Sequence, residues 1–215
     1  MNIILQHWTG EMDELGLLSS ANIKRYAERI GAEYRLLRGN VFNPNLTPPC
    51  QKIYMLAAEF DGYENMLMVD MDMFAVKDLA ENVFEVPGTG LFSSYTQRIF
   101  NRCLEQHPKH TDKRFAYWGG AIYKMGLELR RKLRAHLPGA DIGRFSHSFH
   151  DEGIIHHLAM KAGITQDRMP DRWCQCSYLP NPENAAMIHV RTKVTPKGPN
   201  RSKMENYRAL HELLG

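Results

Sequence analysis

Two aspartates, Asp70 and Asp72, close the apolar run Asn65-Met66-Leu67-Met68-Val69. On an extended strand successive side chains alternate faces, so residues i and i+2 project to the same side. Two carboxylates held side by side at the end of a buried strand repel each other and are costly to desolvate. A divalent cation removes both problems, and Mg2+ or Mn2+ prefers such oxygen ligands. A metal held this way is suited to carrying a diphosphate. The alternative is a strand end capped by solvated acids. The apolar run weighs against it, because a pair carried by the most strand-like core segment of the chain is not an ordinary surface turn.

Four further places have residue types that suit chemistry. His7-Trp8-Thr9-Gly10 ends the first apolar run, where an aromatic beside a glycine can stack on a base, or simply fill the core before a turn. Gly119-Gly120 weakens any strand that contains it, which points to close approach of a ligand or another backbone, or to a bulge. His150-Asp151-Glu152 opens a helix. Its acids either favour the positive end of the helix dipole or hold and deprotonate an acceptor hydroxyl. Glu152 and His156 share a face at i, i+4, but this is not His-Glu-x-x-His, which argues against a zinc protease. His189 lies in an apolar run that leads into the basic segment Arg191–Arg208, and reads either as a core histidine or as a metal ligand followed by a phosphate-binding lysine. No Gly-x-Gly-x-x-Gly and no P-loop pattern is present, against a Rossmann dinucleotide site and a P-loop nucleotidase.

These residues need a scaffold. The pattern predicts strands over Asn2–Trp8, Glu33–Leu37, Met66–Asp72, Gly90–Tyr95, Tyr117–Lys124 and Ala185–Val190. It predicts helices from Ser19 or Ser20 to Ala32, over Gln51–Phe60, Gly126–His136 and Asp151–Ala162, and over Met204–Leu213 at the end. Strands alternating with helices argue for an α/β sandwich around a mostly parallel sheet, whose ligands bind beyond the carboxyl ends of the strands. With no repeat, low-complexity tract or linker, residues 1–215 read as one domain, which the plain terminal helix permits to be part of a larger polypeptide.

Composition is that of an ordinary globular protein, with 43% hydrophobic and 24% charged residues. A net charge of +3 is too small to argue for nucleic acid. No apolar run approaches the roughly 18 residues of a membrane span. The N-terminus lacks the basic region of a signal peptide. Of four cysteines only Cys174 and Cys176 are close, and that spacing is neither a redox nor a paired zinc motif, so reduced thiols and a cytoplasmic setting are expected.

Taken in order, the motifs resemble those of nucleotide-sugar glycosyltransferases of the GT-A fold. The likeness runs from the strand Asn2–Trp8 through Lys52 and Tyr63–Asp72, Val76-Lys77-Asp78-Leu79, Trp118-Gly119-Gly120-Ala121 and Asp151-Glu152-Gly153 to His189 with Lys193 or Lys197. The short chain also resembles compact glycosyltransferase domains encoded by large algal viruses, which would place it in a host cytoplasm.

The resemblance implies a GT-A type α/β/α sandwich with a nucleotide-binding half and an acceptor half. It implies that Asp72 chelates Mn2+ or Mg2+, that Asp70 holds the metal or the donor ribose and sugar, and that His189 completes the metal ligands. Lys52 and either Lys193 or Lys197 would bind the donor near its diphosphate, although neither spacing from His189 matches the usual one. Gln6, Trp8 and Thr9, flanked by His7 and Gly10, would form the nucleoside pocket, most often for uridine, with Met71 and Gly119-Gly120 in the donor-binding stretches. Asp151 or Glu152 would face the donor sugar and a glycan or glycoconjugate acceptor. The implied reaction is metal-dependent transfer from a UDP-sugar, with retention unless Asp151 acts as a base on the acceptor. Two rivals remain. One is a nucleotidyltransferase, disfavoured because Gln6–Gly10 has no lysine or arginine. The other is a sugar-binding module without turnover, disfavoured by the intact aspartate pair.

Overall fold

A computed structural model describes residues 1–178, 182–193 and 197–215. Its centre is a four-stranded sheet. β1 (Asn2–Trp8) lies between β2 (Glu33–Arg38) and β3 (Asn65–Val69), parallel to both. The strand Ile122–Gly126 adds to the far edge of β3 and runs antiparallel. Alternation along these strands feeds two cores. Ile3, Leu5, Met66 and Met68 face one side of the sheet, and Ile4, Leu67 and Val69 face the other. Burial on both faces is why β1 and β3 read as unbroken apolar runs.

α1 (Glu14–Arg29) and α2 (Ser94–Gln106) flank the strands, with α3 (Leu127–Ala135) and α4 (His150–Lys161) on the side of the Ile3 core. A small second sheet is built from β4 (Met73–Ala75), the two-residue strand Gln175–Cys176, and a third strand, Met187–His189, between them. In chain order the strands after β4 are β5 (Ile122–Gly126), β6 (Gln175–Cys176) and β7 (Met187–His189). Two short helices, α5 (Lys203–Arg208) and α6 (His211–Leu214), pack on β4 and β7 through Phe74, Ile188 and Leu214.

Several expected elements differ. α1 begins five residues before Ser19, because the Asp13 carboxylate caps it by accepting from the Gly16 N–H at 2.7 Å. Residues Pro48–Leu56 form a 3-10 helix where an α-helix over Gln51–Phe60 is expected. Pro48 and Pro49 open it without backbone donors, and an extended Ala57 ends it. The stretch expected as a strand over Gly90–Tyr95 holds a single bridge at Gly90 and then the N-cap of α2, where Ser93 Oγ accepts from the Thr96 N–H. The strand expected over Tyr117–Lys124 starts only at Ile122, so Gly119 and Gly120 lie in the loop before it. The terminal helix is broken at Ala209–Leu210 into α5 and α6.

The difference that matters most concerns the aspartates. β3 ends at Val69, and Asp70 and Asp72 occupy the turn between β3 and β4. They share a side because the turn brings them together, not because a strand alternates.

Candidate active site

The turn is braced from below. Gln6 is fully buried, and its Nε2 donates to the Asp70 carbonyl and to Ser19 Oγ, both at 3.0 Å. Ser19 Oγ donates in turn to the Met73 carbonyl, and Tyr34 donates to Gln6 Oε1. Gln6 therefore sits beneath the cleft and ties β1, α1, β2 and the aspartate turn together. It does not reach the nucleoside pocket expected of it. The Asp70 N–H donates to the Ala121 carbonyl, which closes the turn against the loop before β5.

β7 delivers the third group. His189 pairs in register with Met73, and the Val190 N–H donates to the Asp72 carbonyl at 2.8 Å. This sets His189 Nε2 at 3.0 Å from Asp72 Oδ1. One ligating atom each from Asp70, Asp72 and His189 lies within 4.8 Å of the others, the one such cluster of three among the described residues. Burial would push the Asp72 carboxyl up, but His189 and the Lys203 ammonium, which ion-pairs with its other oxygen, hold it well below the usual carboxylate range.

Lys52 joins this cluster to a second one. Its ammonium is buried, 2.7 Å from Asp70 Oδ1, 2.7 Å from the Gly120 carbonyl and 2.9 Å from Asp151 Oδ2. Three donors meet three acceptors, so the cation is saturated. Burial pulls its pKa down, and the Asp151 and Asp70 carboxylates overcome this and hold it above the ordinary lysine value. Bonding to a diphosphate, as expected, would require it to release one of these partners.

α4 opens with the second carboxylate pair. Asp151 is buried and accepts from the Tyr123 hydroxyl at 2.8 Å as well as from Lys52. Burial raises its pKa against the pull of Lys52. Glu152 Oε1 accepts from the Gly120 N–H at 2.8 Å, and its Oε2 lies 3.3 Å from the Tyr117 hydroxyl. Desolvation, then the neighbouring Asp151 charge, push Glu152 up to about 7. His150, just before them, holds a left-handed backbone at φ 47°, a strained conformation for a side chain other than glycine. The glycine pair has a definite use here. A Cβ on Gly120 would meet Asp151 Oδ2 at 2.8 Å, and one on Gly119 would meet Thr96 Oγ1 at 2.9 Å. What approaches these glycines most closely is protein side chain.

Two cavities open on this centre and share Pro49, Lys52 and Asp70. The smaller, about 340 Å3, is lined by His7, Trp8, Thr9, Met71, Asp72 and Lys203. Trp8 Nε1 donates to the Glu11 carbonyl and His7 to the Gly39 carbonyl, so both rings are fixed. Gly10 turns the chain at φ 82° and lies outside the lining. The larger, about 510 Å3, is lined by Gly119, Gly120, Asp151, Glu152, His189 and Arg191, with Tyr95 and Tyr178 at its far side. Lys193 and Lys197 are exposed and line neither cavity. Of the basic segment Arg191–Arg208, Arg191 and Lys203 line the cavities at the centre. Lys203 opens α5 directly after Ser202, which forms a capping box with Glu205. That Ser-Lys-Met-Glu pattern marks the helix start in the sequence and was the available signal.

No family model and no curated protein matches this sequence. Solved structures do match the fold. A glycosyltransferase involved in glycosylation of the major capsid of PBCV-1 superposes with a TM-score of 0.60 at 10% identity, covering 98% of each chain. The galactosyltransferase LgtC in complex with donor and acceptor sugar analogs gives 0.55 at 10% identity, over 100% of this chain and 97% of that one. An active-site mutant of LgtC gives 0.58 at 11% identity, again over 100% and 97%. The chain thus has the α/β fold of GT-A type glycosyltransferases over its whole described length. No helix among the described residues is long and apolar enough to cross a membrane.

Proposed function

We propose that this protein is a metal-dependent glycosyltransferase that moves a sugar from a UDP-sugar to a hydroxyl of a glycan or glycoconjugate, with retention at the anomeric carbon. The observation that carries the reading is the meeting of Asp70, Asp72 and His189 where two cavities join, one of them faced by Glu152. The fold shared with glycosyltransferases supports it.

The ligand set fits a divalent cation. The two carboxylate oxygens suit Mn2+ or Mg2+, and the imidazole favours Mn2+ of the two. Lys52 and Lys203 already stand on the two carboxylates as positive charge. His189 Nε2 lies between Asp72 Oδ1 at 3.0 Å and an Arg191 guanidinium nitrogen at 3.2 Å. A proton there serves the carboxylate and a lone pair serves the guanidinium, so either state leaves one contact unmet, whereas metal ligation uses the lone pair. The chemistry such a cation supplies is neutralisation of the charge that builds on the departing diphosphate.

The chain's own residues do the rest. His7, Trp8 and Thr9 wall the nucleoside side of the cleft. Lys203 is placed to exchange Asp72 for phosphate oxygens. Asp151, locked by Lys52 and Tyr123, positions its neighbour. Glu152, titrating near neutral pH and open to the larger cavity, faces the reacting carbon and the acceptor hydroxyl.

The test is calorimetric titration of UDP and of GDP, each with and without Mn2+, on wild type and Asp72→Ala, followed by turnover of a UDP-sugar panel with NMR assignment of the product anomer. The expected result is Mn2+-dependent UDP binding that the variant loses. GDP preference would change the donor, and an inverted product would remove the retaining assignment. A protein that binds no nucleotide is not this enzyme.

A further inference from the structure

Arg191 is the unusual cation of the site. Lys52 has two carboxylate partners and Lys203 has one. Arg191 lines the larger cavity with no carboxylate in ion-pair contact among the described residues. Among the described residues its guanidinium meets His189 Nε2 at 3.2 Å and the Tyr95 ring, whose centroid lies 5.3 Å from the guanidinium carbon. One N–H of a five-donor fork is thereby used, and the ring face supports the charge without consuming a donor.

The position is also rigidly built. The Arg191 N–H donates to Ser177 Oγ at 3.0 Å, and its carbonyl accepts from Asn206 Nδ2 at 2.7 Å. β7, the segment after β6 and α5 all hold the same residue. Asp72, across His189, is near enough to favour the charged guanidinium, but among the described residues no carboxylate meets the fork directly, and its remaining donors face the cavity.

Location says what the fork awaits. Lys203 and Asp72 line the smaller cavity, while Arg191, Tyr95 and Glu152 line the larger one. Arg191 stands at the junction, 3.2 Å from His189 Nε2, and shares the larger cavity with Glu152, so an anion there other than the diphosphate belongs to the sugar side.

We propose that Arg191, backed by Tyr95, is a carboxylate-binding subsite, so that the transferred sugar or the acceptor glycan carries a carboxylate group. The inference rests on the glycosyltransferase reading, and a planar carboxylate is the anion that a guanidinium fork matches in two parallel hydrogen bonds.

Matched pairs test it by calorimetry. UDP-glucuronic acid against UDP-glucose, with Mn2+, probes the donor. Methyl glucuronide against methyl glucoside, with UDP and Mn2+ present, probes the acceptor. In one arm the acid should bind at least about tenfold more tightly in wild type, the worth of one charge-assisted pair. Arg191→Met should erase that preference, read as the ratio of acid to neutral ligand within each variant so that any change passed to UDP through His189 cancels, Arg191→Lys should restore part of it, and Tyr95→Ala, at an exposed residue, should weaken it. The arm that shows the preference identifies the source of the carboxylate. UDP binding with no preference for either acid overturns this inference alone. An acid preference that persists in Arg191→Met while UDP affinity falls assigns the fork to the diphosphate and also overturns it. Wild type that binds no UDP removes the enzyme reading and this subsite with it.

Discussion

Asp70 and Asp72 at the β3–β4 turn, and Asp151 and Glu152 at the start of α4, are two carboxylate pairs that meet across Lys52. The first pair carries cations. Lys52 stands on Asp70, and Lys203 and His189 stand on Asp72, so Asp72 stays ionised despite burial. The second pair shares a single lysine, which Asp151 engages, and Glu152 is left with a backbone N–H, a phenol and a neighbouring negative charge. Like residues thus acquire unlike chemistry from their surroundings. At Asp72 the turn offers a carboxylate that its neighbours hold ionised, which suits ligation. The helix start offers a carboxyl that titrates near neutral pH, which suits proton transfer or attack.

Glu152→Gln should break this contrast most severely. The amide keeps the shape and loses the charge, and kcat should fall by about 10^2- to 10^4-fold, the range for a positioned acid or base. Wild-type kcat should rise as pH passes about 7, where Glu152 ionises, and the variant should lose that limb. Stability should move the other way. A carboxyl whose folded pKa is raised stabilises the fold below its unfolded pKa, and that contribution is lost as pH rises through about 7. Thermal melts should therefore show Glu152→Gln more stable than wild type at pH 8, with the advantage gone at pH 4.

Lys52→Met comes next, because the one ammonium serves both pairs. Its removal strands the buried Asp151 and leaves the half-exposed Asp70 without its partner, and denaturant unfolding should show a loss of about 3–5 kcal/mol, the cost of breaking a buried pair from one side. A smaller effect separates the lysines around His189. Lys203→Ala should raise donor KM about tenfold, as for one charge-assisted hydrogen bond. Lys193→Ala and Lys197→Ala should stay within about twofold, as surface substitutions do. Equal effects at all three would mean that α5 does not hold its place in the working enzyme.

The parts of the site that read directly from the sequence are those whose signal is local. The apolar runs of β1 and β3 announce buried strands, and the acids after β3 stand out against them. The helix beginning at His150 was legible because its apolar positions continue for a dozen residues. What failed depended on partners far along the chain. Gln6 resembles a pocket residue by type, but Ser19 and Tyr34 consume its polar atoms inside the scaffold. Ser19 looks like an N-cap, yet Asp13 caps α1 and Ser19 bonds to β4. Phe92 to Tyr95 has strand-like residues, and the Ser93 cap overrides them. Lys203 is one of several lysines in a basic segment, and only the docking of α5 sets it on Asp72.

That docking has a consequence in time. Lys203 and Asp72 are 131 positions apart, and His189 also arrives from the later part of the chain. During synthesis Lys52 precedes the aspartate turn, but His189 and Lys203 emerge long after it, so a nascent chain holds Asp72 without the groups that neutralise it. Contacts of such sequence separation also form slowly, since a large loop must close first. The completed Asp72 cluster is therefore among the last features this molecule acquires as it is made, and a chain stalled before α5 has its central sheet without Lys203 on Asp72.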